Sequence, residues 1–171
     1  MIQNFVVSFI GKTSPSTLKN LAAITNENEG KWLISKVNFI DQQIAAIIKV
    51  EVPIDRADIV KDAFMSYPEL TVSIVDSDVL PHDEQAVFKL RLDANDRTGI
   101  VNDITHLLDS QGITLLDMDC NRVFIANDGG VQASIFTANI ALRLPAERQI
   151  DDLAKELESL SEDTRVMITS K

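Results

Sequence analysis

The residues best suited to chemistry lie in one short run, Asn95-Asp96-Arg97-Thr98-Gly99-Ile100-Val101-Asn102. It places a carboxylate, a guanidinium, a hydroxyl and a glycine just ahead of Ile100, Val101, Ile104, Leu107 and Leu108, which recur at helical spacing. A helix beginning there leaves the backbone N–H groups of Ile100, Val101 and Asn102 without intrahelical acceptors, and its dipole adds positive potential. Such a terminus is a small anion pocket. Gly99 either lets a ligand approach the backbone or relieves a tight turn. Arg97 would add a positive charge for a carboxylate, while Asp96 would either cap the helix or take an ammonium group. An amino-acid zwitterion needs both signs. The plainer reading of the same residues is a turn at Gly99 with Asp96 or Thr98 as cap and no ligand.

Other chemistry-bearing residues form weaker patterns. Asp117-Met118-Asp119-Cys120-Asn121 has the spacing that opens a calcium loop, with Asp128 at its twelfth position, but Arg122 stands where the sharp-turn glycine belongs. The run continues as Val123-Phe124-Ile125, so a strand with one polar face explains it more simply. His106 falls on a helix and His82 in a polar stretch, neither with a Ser, Cys or Asp partner at a catalytic spacing. Cys120 shares a strand side with Leu116 and Met118, which suits an inert core thiol. Asp151, Asp152, Glu156 and Glu158 read as a solvated helix face opposite Leu153 and Leu157, or as a surface for a basic partner.

The elements that must position these residues repeat. Strand-like runs at 5–10 and 87–92 each lead through a polar turn into a helical pattern, and aligning Phe5 with Phe88 also brings Leu18 onto Val101, Leu21 onto Ile104 and Ile24 onto Leu107. Gly30 and Gly112 are expected to close those helices, and 32–40 and 113–125 return as strands. The strands 43–52 and 131–144 run into Pro53 and Pro145, which suit the first turn of helices over 54–66 and 146–160. The expected apolar faces carry Ile59, Val60, Ala63 and Phe64 in one, and Ile150, Leu153, Ala154 and Leu157 in the other. Runs at 70–75 and 164–168 close each copy, giving β-α-β-β-α-β twice. The second copy gains residues around Asn127-Asp128-Gly129-Gly130, a turn signal within a longer hairpin.

This predicts an α+β chain of two ferredoxin-like domains, 1–76 and 86–171, joined by a polar linker over 77–85. Each is small enough to be only marginally stable alone, which leads us to expect the halves to pack together. Exposed edge strands make a homodimer plausible.

Composition limits the partners. In a chain of 171 residues, 16 Lys and Arg against 26 Asp and Glu leave a formal charge of −10, which repels phosphate backbones and anionic membranes. RNA-recognition modules share this element order, but the aromatics here, Trp32 and Phe39 in one half and Phe124 and Phe136 in the other, lack a basic surround. The longest apolar run, Ile44 to Ile48, is far short of the roughly 20 residues that span a bilayer. The start, Met1-Ile2-Gln3-Asn4-Phe5, lacks secretory features, so the expectation is a cytoplasmic protein with no membrane association. A single cysteine excludes an internal disulfide, and no zinc-ligand spacing occurs.

Asp96-Arg97-Thr98-Gly99-Ile100-Val101, followed by Gly112-Ile113-Thr114-Leu115-Leu116-Asp117, resembles the ACT domain, whose usual patterns are Asp-Arg-Pro-Gly-Ile-Val and Gly-x-Asn-Ile-x-Asp. Thr98 departs from the proline, and Thr114 from an asparagine whose amide belongs to the ligand-binding set. The first half matches in element order only, since Gly11-Lys12-Thr13-Ser14-Pro15-Ser16 lacks the aspartate, arginine and well-placed glycine; its ligand loop is degenerate. Two ACT copies with a short linker are similar to the glycine cleavage system transcriptional repressor family. The resemblance implies a non-catalytic regulator without a cofactor. It would bind an amino acid, glycine among the candidates, at Asn95 to Asn102 with Leu115, Leu116 and Asp117 from the neighbouring strand. It would act on a protein partner such as a transcription activator, without contacting DNA. The rival expectations are a ligand-independent scaffold and a regulatory subunit of an amino-acid metabolic enzyme.

Overall fold

A computed structural model describes residues 1–12, 14–78 and 86–170. The chain divides into two compact units, Met1–Asp83 and Glu84–Lys171. Most of the expected linker, with His82, lies outside the described residues. Its first member, Ser77, donates its N–H to the Asn4 carbonyl at 3.0 Å.

The first unit runs β1 (Ile2–Lys12), α1 (Thr17–Glu27), β2 (Lys31–Ile40), β3 (Gln43–Pro53), α2 (Ala57–Met65) and β4 (Leu70–Asp76). The second repeats it with β5 (Val87–Asn95), α3 (Ile100–Ser110), β6 (Thr114–Asn127), β7 (Gly130–Arg143), α4 (Ile150–Glu158) and β8 (Arg165–Ser170). Each forms a four-stranded antiparallel sheet, in the orders β2-β3-β1-β4 and β6-β7-β5-β8. The α+β class and the doubled ferredoxin-like order expected from the sequence are those observed.

Strand alternation decides the core. In the first unit Phe5, Val7 and Phe9 of β1 and Ile44, Ile48 and Val50 of β3 are buried, meeting Leu21 of α1 and Val60 and Phe64 of α2. In the second unit Leu90 and Leu92 of β5 and Phe136, Ile140 and Leu142 of β7 meet Ile104 and Leu108 of α3 and Leu153 and Leu157 of α4. The period of two on the strands and the helical period each bring one apolar set to the shared layer.

Three local expectations are corrected. The helices after the prolines begin later: a turn in which the Arg56 N–H reaches the Pro53 carbonyl at 2.9 Å precedes α2, and one from Arg148 to Pro145 at 3.0 Å precedes α4. Proline's fixed φ starts a turn here instead of a helix. Ile59, expected on the core face of α2, is 52% exposed, because Ala57, Val60 and Phe64 define the inward face and Ile59 lies about 100° round the helix from Val60. After α1 the left-handed position falls on Glu29, at φ 59°, and not on Gly30. Gly30 is required by contact, since a Cβ there would stand 2.9 Å from Thr25 Cγ2. After α3, Gly112 does take the left-handed position, at φ 66°.

The longer hairpin turns at Asp128-Gly129, with Asn127 opposite Gly130. Asp117, Asp119 and Asn121 lie along β6, as the strand reading expects, and no group of three or more His, Cys, Asp or Glu side chains suited to a metal occurs among the described residues. No helix among them is long and apolar enough to cross a membrane.

Truncating a core side chain against a solvent-facing one of the same type tests this layering. Ile104→Ala should cost about 2–5 kcal/mol of unfolding free energy, whereas Ile59→Ala should cost much less; urea denaturation of the full chain measures both.

Candidate functional site

The loop between β5 and α3 is shaped by Gly99, which takes φ 85° and ψ 0° at the position before the helix. A side chain is strained in that region, yet the space where a Cβ would sit is open. The first bond of α3 runs from the Asp103 N–H to the Gly99 carbonyl at 2.9 Å, and no side chain caps the helix. The N–H groups of Ile100, Val101 and Asn102 therefore keep their donor capacity at the positive end of an eleven-residue helix.

Asp96 does not cap the helix, as one expectation held. Its carboxylate pairs with Arg122 Nε of β6 at 2.9 Å and accepts from Ser134 Oγ of β7 at 3.3 Å, while its own N–H donates to the Ser134 carbonyl at 2.9 Å. The Arg122 guanidinium also stands 5.7 Å from the centre of the Phe136 ring. The long hairpin thus holds the acid away from the helix end. Arg97 pairs with Asp103 in the first turn of α3 at 2.7 Å, both side chains partly exposed. Exposed pairs of this kind contribute about 0–1 kcal/mol, so an incoming carboxylate can compete for the guanidinium. Thr98 is exposed at the loop surface.

The structure does not bring Leu115, Leu116 and Asp117 to this loop within the domain. Asn95 stands opposite Ile135 of β7, whereas Leu115 stands opposite Leu142 and Asp117 opposite Ala141. That stretch of β7 separates them by roughly 23 Å at about 3.3 Å per residue. Moreover, β6 is separated from β5 by β7, and it is the later part of β6, at Arg122, that reaches the loop. The register shifts between Leu115 and Asp117, marking a bulge at Leu116.

Sequence reasoning missed the turn before β8. The Asp163 carboxylate accepts from the Asn95 N–H at 2.5 Å and from Ser161 Oγ at 2.7 Å. The Ser161 hydroxyl bond, then the Asn95 amide, hold the Asp163 carboxyl below its ordinary value. A Ser-x-Asp turn is visible in the sequence, but nothing local says that it reaches a strand end so far back in the chain. At the other end of α3, Gln111 Nε2 donates to Glu156, which also takes Arg148 Nη1 at 3.1 Å; these contacts, Gln111 first, keep Glu156 low. One member of the expected solvated acidic face thus ties α3 to α4.

The set-aside residues fall elsewhere. Cys120 is half-buried against the second core, and burial pushes its thiol up, away from a nucleophilic thiolate. His106 is exposed on α3. Phe136 is fully buried on the helix side of β7 and so offers no stacking surface, while Trp32 packs on the first core.

No family model matches the chain, and no curated protein sequence matches it. Solved structures do. A crystal structure described as a "putative glycine cleavage system transcriptional repressor" superposes with TM-score 0.69 at 11% identity, covering 100% of this chain and 99% of that one. The chain shares that structure's fold. A second likeness is an unknown protein from Galdieria sulphuraria, with TM-score 0.82, 15% identity and coverage of 100% of this chain and 99% of that one. At these identities the likeness is one of fold.

The Asp163 contact gives a pH prediction. A carboxyl lowered on folding stabilises the folded state above its ordinary value of 3.8, and that contribution is lost as pH falls through the lowered value. Asp163→Ala should therefore lower the urea midpoint at neutral pH, with the gap to the native protein closing in acid.

Proposed function

We propose that the chain is a non-catalytic, amino-acid-responsive regulator, of the kind suggested by its likeness to the glycine cleavage repressor structure. The observation that carries this reading is the uncapped start of α3. Three N–H donors, the Arg97 guanidinium and the Asp96 carboxylate meet at one loop, and the acid that would ordinarily cap the helix is held off by Arg122 and Ser134. In this arrangement a ligand carboxylate takes the N–H groups and competes with Asp103 for Arg97, while an ammonium group faces Asp96. Glycine is the first candidate, from the likeness to the glycine cleavage repressor structure. Leu115, Leu116 and Asp117 are left out of this binding set.

Regulation then follows from linkage. A ligand that binds one arrangement of the loop and hairpin better than another shifts the population by its differential affinity, and a protein partner that prefers that arrangement gains affinity by the same factor. The partner proposed is a transcription activator or a metabolic enzyme, bound through protein contacts. The −10 charge supports the absence of direct DNA contact.

Calorimetric titration of the full chain with glycine, then with the other standard amino acids, tests the reading. Saturable binding is expected, abolished by Thr98→Glu, which sets a competing carboxylate at the exposed loop beside the N–H groups. Ligand at 100 times its dissociation constant should add about 2.7 kcal/mol of stability. No heat from any amino acid at millimolar concentration, with no shift in melting, leaves the ligand-independent scaffold instead.

A further inference from the structure

Each sheet has two edge strands, and all but one of these edges are guarded against pairing with another chain. β2 carries Lys31 and Lys36 and a register shift between Trp32 and Ile34. β6 carries Asp117, Asp119 and Arg122, with register shifts at Leu115/Asp117 and Ile125/Ala126. β8 begins with Arg165, its pairing with β5 shifts between Lys89 and Leu90, and its Val166 N–H is taken by the Glu158 carboxylate of α4 at 3.0 Å. Charges, bulges and covered amides are ordinary means by which a sheet edge avoids a second strand. The edge at β4 has none of them. Its seven residues, Leu70 to Asp76, pair with β1 in unbroken register, and its one charge, the terminal Asp76, is held by Lys61 at 2.7 Å.

The two domains differ at the position that closes this edge. Phe9 opposite Val72 matches Leu92 opposite Val166, and the buried Phe64 of α2 matches the buried Leu157 of α4. The next residue is Met65 in the first domain and Glu158 in the second. Where the second domain covers the Val166 amide with a carboxylate, the first therefore sets a thioether, 55% exposed, in the groove that Val72 lines. The Ser77 N–H bonds to the Asn4 carbonyl at 3.0 Å, in register with the rest of the β1–β4 ladder. By alternation Ser73 and Val75 turn their backbone groups to β1, whereas Val72 and Ile74 turn theirs away from the sheet. Among the described residues nothing bonds to those outward groups. An open groove of about 480 Å³ follows the edge, lined by Lys61, Met65, Val72 and Ile74.

We propose that the β4 edge is a self-association surface, occupied by β4 of a second copy of the chain. The edge is self-complementary, and the other edges of the chain are guarded, so a second copy can offer it only the same strand. Ser73 is the middle residue of β4, with an outward-bonding residue on each side. An antiparallel pair about a two-fold axis at Ser73 sets Val72 against the partner's Ile74 and Ile74 against the partner's Val72, each pair exchanging both N–H to carbonyl bonds. Ser73 then faces its own copy. Met65, Val72 and Ile74 of both copies meet on the helix side, where their apolar surface leaves water. The edge is about 23 Å long, and a strand with its covering helix is about 20 Å deep, so the contact buries on the order of 900 Å² in total, the size of a weak, reversible dimer. This pairing is independent of amino-acid binding at the β5–α3 loop.

Sedimentation of the full-length protein from about 1 μM to about 1 mM tests the proposal, and a reversible monomer–dimer equilibrium is expected. Ser73→Lys, at an exposed position, sets like charges face to face across the axis and should weaken the dimer at least about tenfold. An equimolar mixture of Ser73→Lys and Ser73→Glu should restore association as a heterodimer, which only a contact at the two-fold axis explains. Met65→Glu gives the first domain the closing carboxylate of the second and should likewise shift the equilibrium to monomer. Met167→Lys, at an exposed position on the β8 edge, should leave the dimer unchanged. A native protein that stays monomeric across the whole range overturns the proposal and leaves the edge to an extended segment of a different protein. So does a dimer that Ser73→Lys and Met65→Glu both leave at full strength.

Discussion

A sheet with one apolar face is stable only while that face is covered, and in each domain of this chain two helices cover it. Domains of this size have little surplus burial, so the inward positions of the two central strands allow few exceptions. Phe5, Val7 and Phe9 alternate inward on β1 as Leu90, Leu92 and Ala94 do on β5. That alternation fixes register, because a slip by one residue would expose the whole set. Register in turn fixes which residues reach the strand ends. Asn95 ends β5, and the chain must then reverse within Asp96 to Gly99 to lay α3 across the sheet. The geometry of the candidate site is a consequence of that reversal.

The reversal leaves an electrostatic imbalance. A helix beginning with a left-handed glycine and no side-chain cap keeps unsatisfied donors at its positive end. Asp96 would answer that imbalance if it were free to turn inward. The second domain's longer hairpin prevents it by offering the acid two partners, Arg122 and Ser134, and stacks the arginine on a buried phenylalanine ring. The hairpin and the β5–α3 loop are thus one structural unit. A change in either is felt by the other through a pair of short contacts, which is the physical form a ligand signal would take in this domain.

Much of this was legible in the chain. The doubled order of elements followed from apolar period and turn residues alone, and the turn at Asp128-Gly129 from its composition. The loop motif located a helix start with free donors. The contacts that decide how the loop behaves were not legible, because Asp96 with Arg122, Asp96 with Ser134 and Asn95 with Asp163 join residues distant in sequence. That Leu115 to Asp117 stand apart from the loop within the domain was not legible for a related reason. Their sequence pattern gives a side of a strand but not its place in the sheet, and sheet order puts β7 between β6 and β5.

The central claim is that the N–H groups at the start of α3 are the carboxylate-binding element. Amide NMR of the full-length protein during titration with glycine tests it most directly. The account predicts that the Ile100, Val101 and Asn102 amide protons move downfield together and saturate with one dissociation constant. Saturable binding that leaves these three amides unmoved, while signals elsewhere in the chain shift, would contradict it.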